Sequence, residues 1–215
     1  EYLFDSYYQQ NQHEQALIHL KMLQSIYERQ KATPALFKSF ERYLTYYPDE
    51  HSLRFSLAER YIKNQQLAEG LEHLNYCFDW HYREQLWPKA KQIAERILYL
   101  DPQNNVLKLK LCEIYILLKE AHLAIRMLQS LLKEKPNDLH VLFLLAQAFA
   151  ALGHKRKAIV AYSNVGKVAK NYRMKELALK AYRYLLELDP NHVEAQSIID
   201  ELNPPVPDID ITYSL

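Results

Sequence analysis

The chain has 215 residues, 49% of them hydrophobic, with three glycines and a formal net charge of +1. So little glycine disfavours turn-rich β architecture and Gly-rich phosphate loops. A balanced charge gives no overall field toward nucleic acid or an anionic membrane.

The predicted elements are all helical and fall into units. Residues 1–48 carry Leu3, Phe4 and Tyr7 on a first helix, Ala16 and Leu20 on a second, and Leu36, Phe40 and Tyr43 on a third that ends before Pro48. Residues 49–102 repeat this with Leu57, Ala58 and Tyr61, then Gly70 and Leu74, then Ala90, Ala94 and Ile97 before Pro102. Pro34 and Pro88 suit the first turn of the third helix, where the missing N–H has no partner to lose. Residues 103–136 are shorter, with Leu111, Cys112 and Tyr115, then Ala124 and Leu128, then Pro136. Residues 137–190 return to three helices through Leu145, Ala146 and Phe149, then Ala158 and Tyr162, then Ala178, Tyr182 and Leu185 before Pro190. A last helix over 191–202 reads as a solvating cap, because Asp200 and Asn203 stand where other units place small and aromatic residues.

The columns are periodic. Leu3, Leu57, Leu111 and Leu145 are separated by 54, 54 and 34 residues, and Pro48, Pro102, Pro136 and Pro190 by 54, 34 and 54. A leucine and an aromatic four residues apart share one face of a helix, and a small residue nine further on lets the next helix approach closely. Proline then stops the pair.

A period of 34 with Leu, small, aromatic, small and a closing Pro resembles the tetratricopeptide repeat, and 105–136 is a complete copy. The three 54-residue units resemble a variant with one added helix. The resemblance implies an all-α, right-handed α-α superhelix of about twelve helices over 1–203, followed by an extended tail, 204–215. It also implies a scaffold that holds a peptide or helix of another protein along a concave groove made by the first helix of each unit.

The groove columns are then Phe55, Leu109 and Phe143, with Glu59, Glu113 and Gln147 four residues on and Ile62 and Ile116 three further. Such an apolar floor with a carboxylate row suits a segment with aliphatic or aromatic anchors and a Lys or Arg. The family's clamp for a chaperone carboxylate needs Lys, Asn and Arg in these columns, so that ligand is rejected.

Other readings are weaker. Lys155, Arg156, Lys157, Lys170, Arg173 and Lys175 belong to a stretch, 151–190, with nine bases against three acids, and they carry the alternative of RNA binding. His73, Cys77 and His81 are four apart, as ligands on one helix face would be, but Cys77 fills a core column. No metal or other cofactor is expected. The sequence contains no nucleophile elbow, phosphate loop or dinucleotide fingerprint, so an enzyme is not expected either.

No apolar stretch approaches the ~20 residues of a membrane span, and no signal peptide is visible. Cys77 and Cys112 read as buried free thiols of a cytoplasmic protein, and a start at Glu1 reads as a piece of a longer chain. In the tail, Ile209, Ile211, Tyr213 and Leu215 alternate with Asp208, Asp210, Thr212 and Ser214 after Pro204, Pro205 and Pro207. That pattern suggests a strand that docks on its own solenoid or on a second copy.

Overall fold

The computed structural model describes residues 6, 7, 10 and 12–203, which are helices and short turns with no strand among them. The opening helix expected around Leu3 and the tail 204–215 lie outside the described residues, apart from the helical Ser6 and Tyr7. Two compact units divide the chain at 97/98. The first holds α1 (His13–Arg29), α2 (Thr33–Tyr46), α3 (His51–Lys63), α4 (Leu67–Arg83) and most of α5 (Trp87–Leu100). The second holds α6 (Asn105–Leu117), α7 (Ala121–Glu134), α8 (Leu139–Ala151), α9 (Lys155–Asn171), α10 (Lys175–Leu188) and α11 (Val193–Leu202). Helices of 13, 17 and 14 residues follow one another as α3–α5 and again as α8–α10, whereas α6 and α7 have 13 and 14.

Two kinds of joint connect them. Lys31, Gln65, Gln85, Lys119, Gly153 and Arg173 have positive φ, each in the middle of a three-residue turn. The amide after each reaches back five residues, as from Gln66 to the Tyr61 carbonyl at 2.9 Å and from Glu120 to Tyr115 at 2.7 Å. This 6→1 bond closes a helix end whose carbonyls would otherwise lack donors. The joint therefore sets a tight antiparallel pair, and it recurs inside every unit.

The other joint contains the recurring proline. Pro48, Pro102, Pro136 and Pro190 each stand second in a four-residue link, and after the last three the side chain two residues further on caps the next helix, whereas Glu50 makes no cap bond. Asn104 accepts from the Leu107 amide at 3.0 Å, Asp138 from His140 and Val141, and the His192 ring from Ala195 at 3.2 Å. Such caps are each worth ~1 kcal/mol. The last helix therefore starts at Val193 rather than 191, because residue 192 is used as its cap.

In the first unit Leu36, Phe37, Phe40 and Leu44 of α2 bury against Leu57 and Tyr61 of α3, while Tyr43 closes on Ala16 and Leu20. In the second, Ala158, Tyr162 and Val165 of α9 bury against Leu142, Phe143 and Ala146 of α8 and against Tyr182 and Leu185 of α10. Each large side chain contributes ~1.5–3 kcal/mol by leaving water. Ala16, Gly70, Ala124 and Ala158 are buried, as expected of the small column. At Gly70 a Cβ would lie 2.6 Å from Ile62 Cγ1 and 3.1 Å from the Ala58 carbonyl oxygen, so α4 meets α3 closer than an alanine permits.

Candidate functional site

Ser52, Phe55, Glu59 and Ile62 fall at helical spacing along one face of α3. Lys89, Gln92, Ile93 and Arg96 do the same on α5. Between the two faces is a cleft of ≈ 280 Å³, lined by His51, Ser52, Phe55, His81, Lys89, Gln92 and Ile93. The half-buried Phe55 and the buried Ile93 make an apolar floor, and Lys89 and Gln92 are exposed at the rim.

Arg96 holds the Glu59 carboxylate on both oxygens, at 2.8 Å and 2.8 Å. His51 is 8% exposed, stacks on Trp80 at 3.8 Å, and meets no polar partner among the described residues with either ring nitrogen. Burial holds its pKa below the usual value, and the neighbouring His81 adds to this. The ring is therefore neutral near pH 7. The sequence reading missed the α5 side of the cleft, although Pro88 and the 54-residue spacing had marked that helix.

In the second unit Leu109, Glu113 and Ile116 lie on α6, and Glu113 Oε1 is 3.3 Å from His140 Nε2 of α8. The carboxylate row expected to meet a partner's Lys or Arg is thus already engaged by the protein's own bases, Glu59 by Arg96 and Glu113 by His140. Glu59 and Glu113 also fall in different compact units. Phe143 is corrected as well. It is 8% exposed, with the rings of Tyr162 and Tyr184 at 5.8 Å and Lys180 Nζ at 5.0 Å, so it belongs to the core rather than to a groove floor. Gln147, one turn on, is half-buried.

No family model and no curated protein matches the chain. Among solved structures, a double mutant of MamA RS-1 aligns with 72% of this chain and 94% of its own, at 17% identity and a TM-score of 0.52. A segment of MamA from Desulfovibrio magneticus RS-1 aligns at 12% identity over 85% and 90%, with a TM-score of 0.47. The C-terminal part of a TPR repeat-containing protein from Cytophaga hutchinsonii aligns at 17% identity over 91% and 97%, with a TM-score of 0.41. The fold is that of the tetratricopeptide-repeat solenoids. Identities this low speak for the fold alone.

Placed on a tetratricopeptide solenoid, the remaining candidates resolve as follows. Lys155, Arg156, Lys157, Arg173 and Lys175 are exposed on α9, α10 and the turn between them. Lys170 bonds Glu201 of α11 at 2.8 Å. His73 stacks on Tyr61 at 5.6 Å, Cys77 lies 3.6 Å from the His51 carbonyl oxygen, and His81 Nδ1 is 2.7 Å from the Cys77 carbonyl oxygen. Helix α4 ends at Arg83, and His81 stands in its last turn.

Among the described residues no group of three or more His, Cys, Asp or Glu is placed to hold a metal ion, and no helix is long and apolar enough to cross a membrane. Burial pushes the Cys77 thiol up to about 11 and Cys112 to about 12, so both stay protonated. A buried protonated thiol is a small hydrophobe, not a nucleophile.

Proposed function

We propose that this protein is a non-enzymatic scaffold that binds a segment of a protein partner, and that the cleft between α3 and α5 is where the segment's main anchor sits. The supporting observation is the open apolar floor of Phe55 and Ile93, bounded by Lys89 and Gln92 at the rim, with α3 and α5 tied together one helical turn further on by the Glu59–Arg96 pair. A cleft of ≈ 280 Å³ takes one aliphatic or aromatic side chain and the backbone beside it. The two-oxygen pair is half-exposed, so its own energy is small, but it fixes the wall and leaves no unmatched charge there. The partner's anchor is therefore apolar, and Lys89 favours an acceptor or carboxylate next to it. A partner's Lys or Arg finds its expected seat at Glu59 already taken.

The same reading treats the three-helix stretches as 54-residue variants of the repeat. In these, the added helix α5 stands where a following unit's first helix would stand and so builds the second wall of the cleft. In Phe55→Ala the floor is lost, and most of the affinity of such interfaces resides in a few buried anchors. Selection of a random extended-peptide library on the wild type should enrich one apolar anchor position, and the selected peptides should bind Phe55→Ala at least tenfold more weakly. Equal binding to both proteins would sink the assignment of this cleft.

A further inference from the structure

The second unit has a larger groove that the proposed function does not use. A groove of ≈ 770 Å³ runs between α8 and α9, with Leu142, Leu145, Phe149 and Val160 along its floor. Val160 is 69% exposed, although it is apolar and sits mid-helix. The groove's charged residues are all basic: Arg156, Lys157 and Lys167, with no acid in its lining. Lys167 has Glu194 of α11 at 3.4 Å. Lys157 Nζ lies 5.7 Å above the Phe149 ring, and Arg156 has no acidic partner among the described residues. An apolar floor with a basic rim calls for an occupant that is apolar and acidic.

This chain contains such a segment. Residues 204–215 alternate apolar and polar side chains through Ile209, Ile211 and Tyr213, carry Asp208 and Asp210, and contain no Lys or Arg. They also start in the right place. Glu201, near the end of α11, bonds Lys170 at 2.8 Å, so α11 ends beside the C-terminal end of α9. From Lys170 back to Arg156 is fourteen residues of α9, about 21 Å at 1.5 Å per residue. From Asn203 to Asp210 is seven residues, about 22 Å at the 3.1 Å per residue of the extended form that Pro204, Pro205 and Pro207 favour.

We propose that residues 204–215 fold back antiparallel to α9 and occupy this groove in the same chain, with Ile209 and Ile211 on its apolar floor and Asp208 and Asp210 against Arg156 and Lys157. The effective concentration of a tethered tail favours this over capture of a second copy at low protein concentration.

Zero-length carbodiimide coupling of the full chain tests the proposal, because it joins only carboxylates and amines already in contact. Mapped by mass spectrometry, Asp208 or Asp210 should couple to Lys157, and Asp208→Asn/Asp210→Asn should remove that product. Mixing light and heavy isotope-labelled chains should leave the coupled peptides unmixed. Ile209→Ser/Ile211→Ser should speed amide exchange over 142–149 and 156–167 at least fivefold while α3 and α4 stay unchanged. Arg156→Glu/Lys157→Glu should do the same, and adding Asp208→Lys/Asp210→Lys should restore protection. Coupling scattered over lysines outside the groove, mixed-isotope products, or unchanged exchange in the Ile209→Ser/Ile211→Ser variant would each overturn it.

Discussion

Gly166 allows two opposing effects to be separated by sign. It is buried in the middle of α9, facing Tyr182 of α10. A Cβ added there would lie 2.5 Å from two carbons of the Tyr182 ring and 3.0 Å from a third. Carbon atoms settle at about 3.5–4.0 Å, so the ring would have to retreat by roughly 1 Å. Tyr182 is 1% exposed and packed among Val165, Leu185 and Ala195, which leaves it nowhere to retreat without moving α10.

Helix propensity alone makes Gly166→Ala stabilising by ~0.8–1.0 kcal/mol. Overpacking a closed core costs ~1–3 kcal/mol. The clash wins, and the expected net effect is a loss of about 1 kcal/mol. In a Tyr182→Leu background the obstacle is gone, so the same substitution should gain about 1 kcal/mol, a coupling of about 2 kcal/mol. Urea unfolding followed by circular dichroism measures this if slopes match between variants. Where they differ, amide exchange of α9 and α10 measures the local change instead, since repeat arrays do not always unfold in one step. A higher midpoint for Gly166→Ala in the wild-type background would show that α9 and α10 are not packed as tightly as described.

Lys119 holds φ at 63° to close α6, so Lys119→Gly should stabilise by ~0.5–1 kcal/mol, while Arg126→Gly within α7 should cost ~1 kcal/mol; thermal unfolding showing the same sign for both would refute the left-handed turn. The hydrogen bond to Glu113 holds the His140 pKa above its usual value, so the pair's contribution is complete below about pH 6.5 and is lost as pH rises through the folded-state pKa. Wild type should therefore be more stable than His140→Gln at pH 6 and nearly equal to it at pH 8.5, by a modest margin because the His140 side chain is 55% exposed; a constant difference across that range would show that the pair does not form.

The repeat was legible because its signals are local. A leucine and an aromatic four apart, a small residue and a closing proline each specify one helix or one joint, and the structure puts Leu57, Tyr61, Gly70 and Pro102 where those roles require. The three-residue turns were less legible, since five of the six left-handed positions carry Lys, Gln or Arg rather than Gly. There the 6→1 hydrogen bond and the packing of both helices hold a conformation that the residue itself does not favour.

Of the proposed cleft the sequence reading named residues on one wall only, and the two phenylalanines show why. Phe55 and Phe143 are 88 residues apart, and each faces a helix some forty residues further along the chain. Opposite Phe55 that helix offers Gln92 and Arg96, and Arg96 turns to Glu59 and leaves the floor open. Opposite Phe143 the matching positions, 88 residues later, are Lys180 and Tyr184. Tyr184 stacks on Tyr162 at 5.5 Å and closes over Phe143, while Lys180 sits above the ring. Gln147 replaces Glu59 at the matching position, so an arginine opposite it would have no carboxylate to turn to. Whether a groove column is floor or core is thus decided by the pair formed across it. The residue in the column carries no mark of that pairing; the mark lies in α5 and α10, at Arg96 and Tyr184.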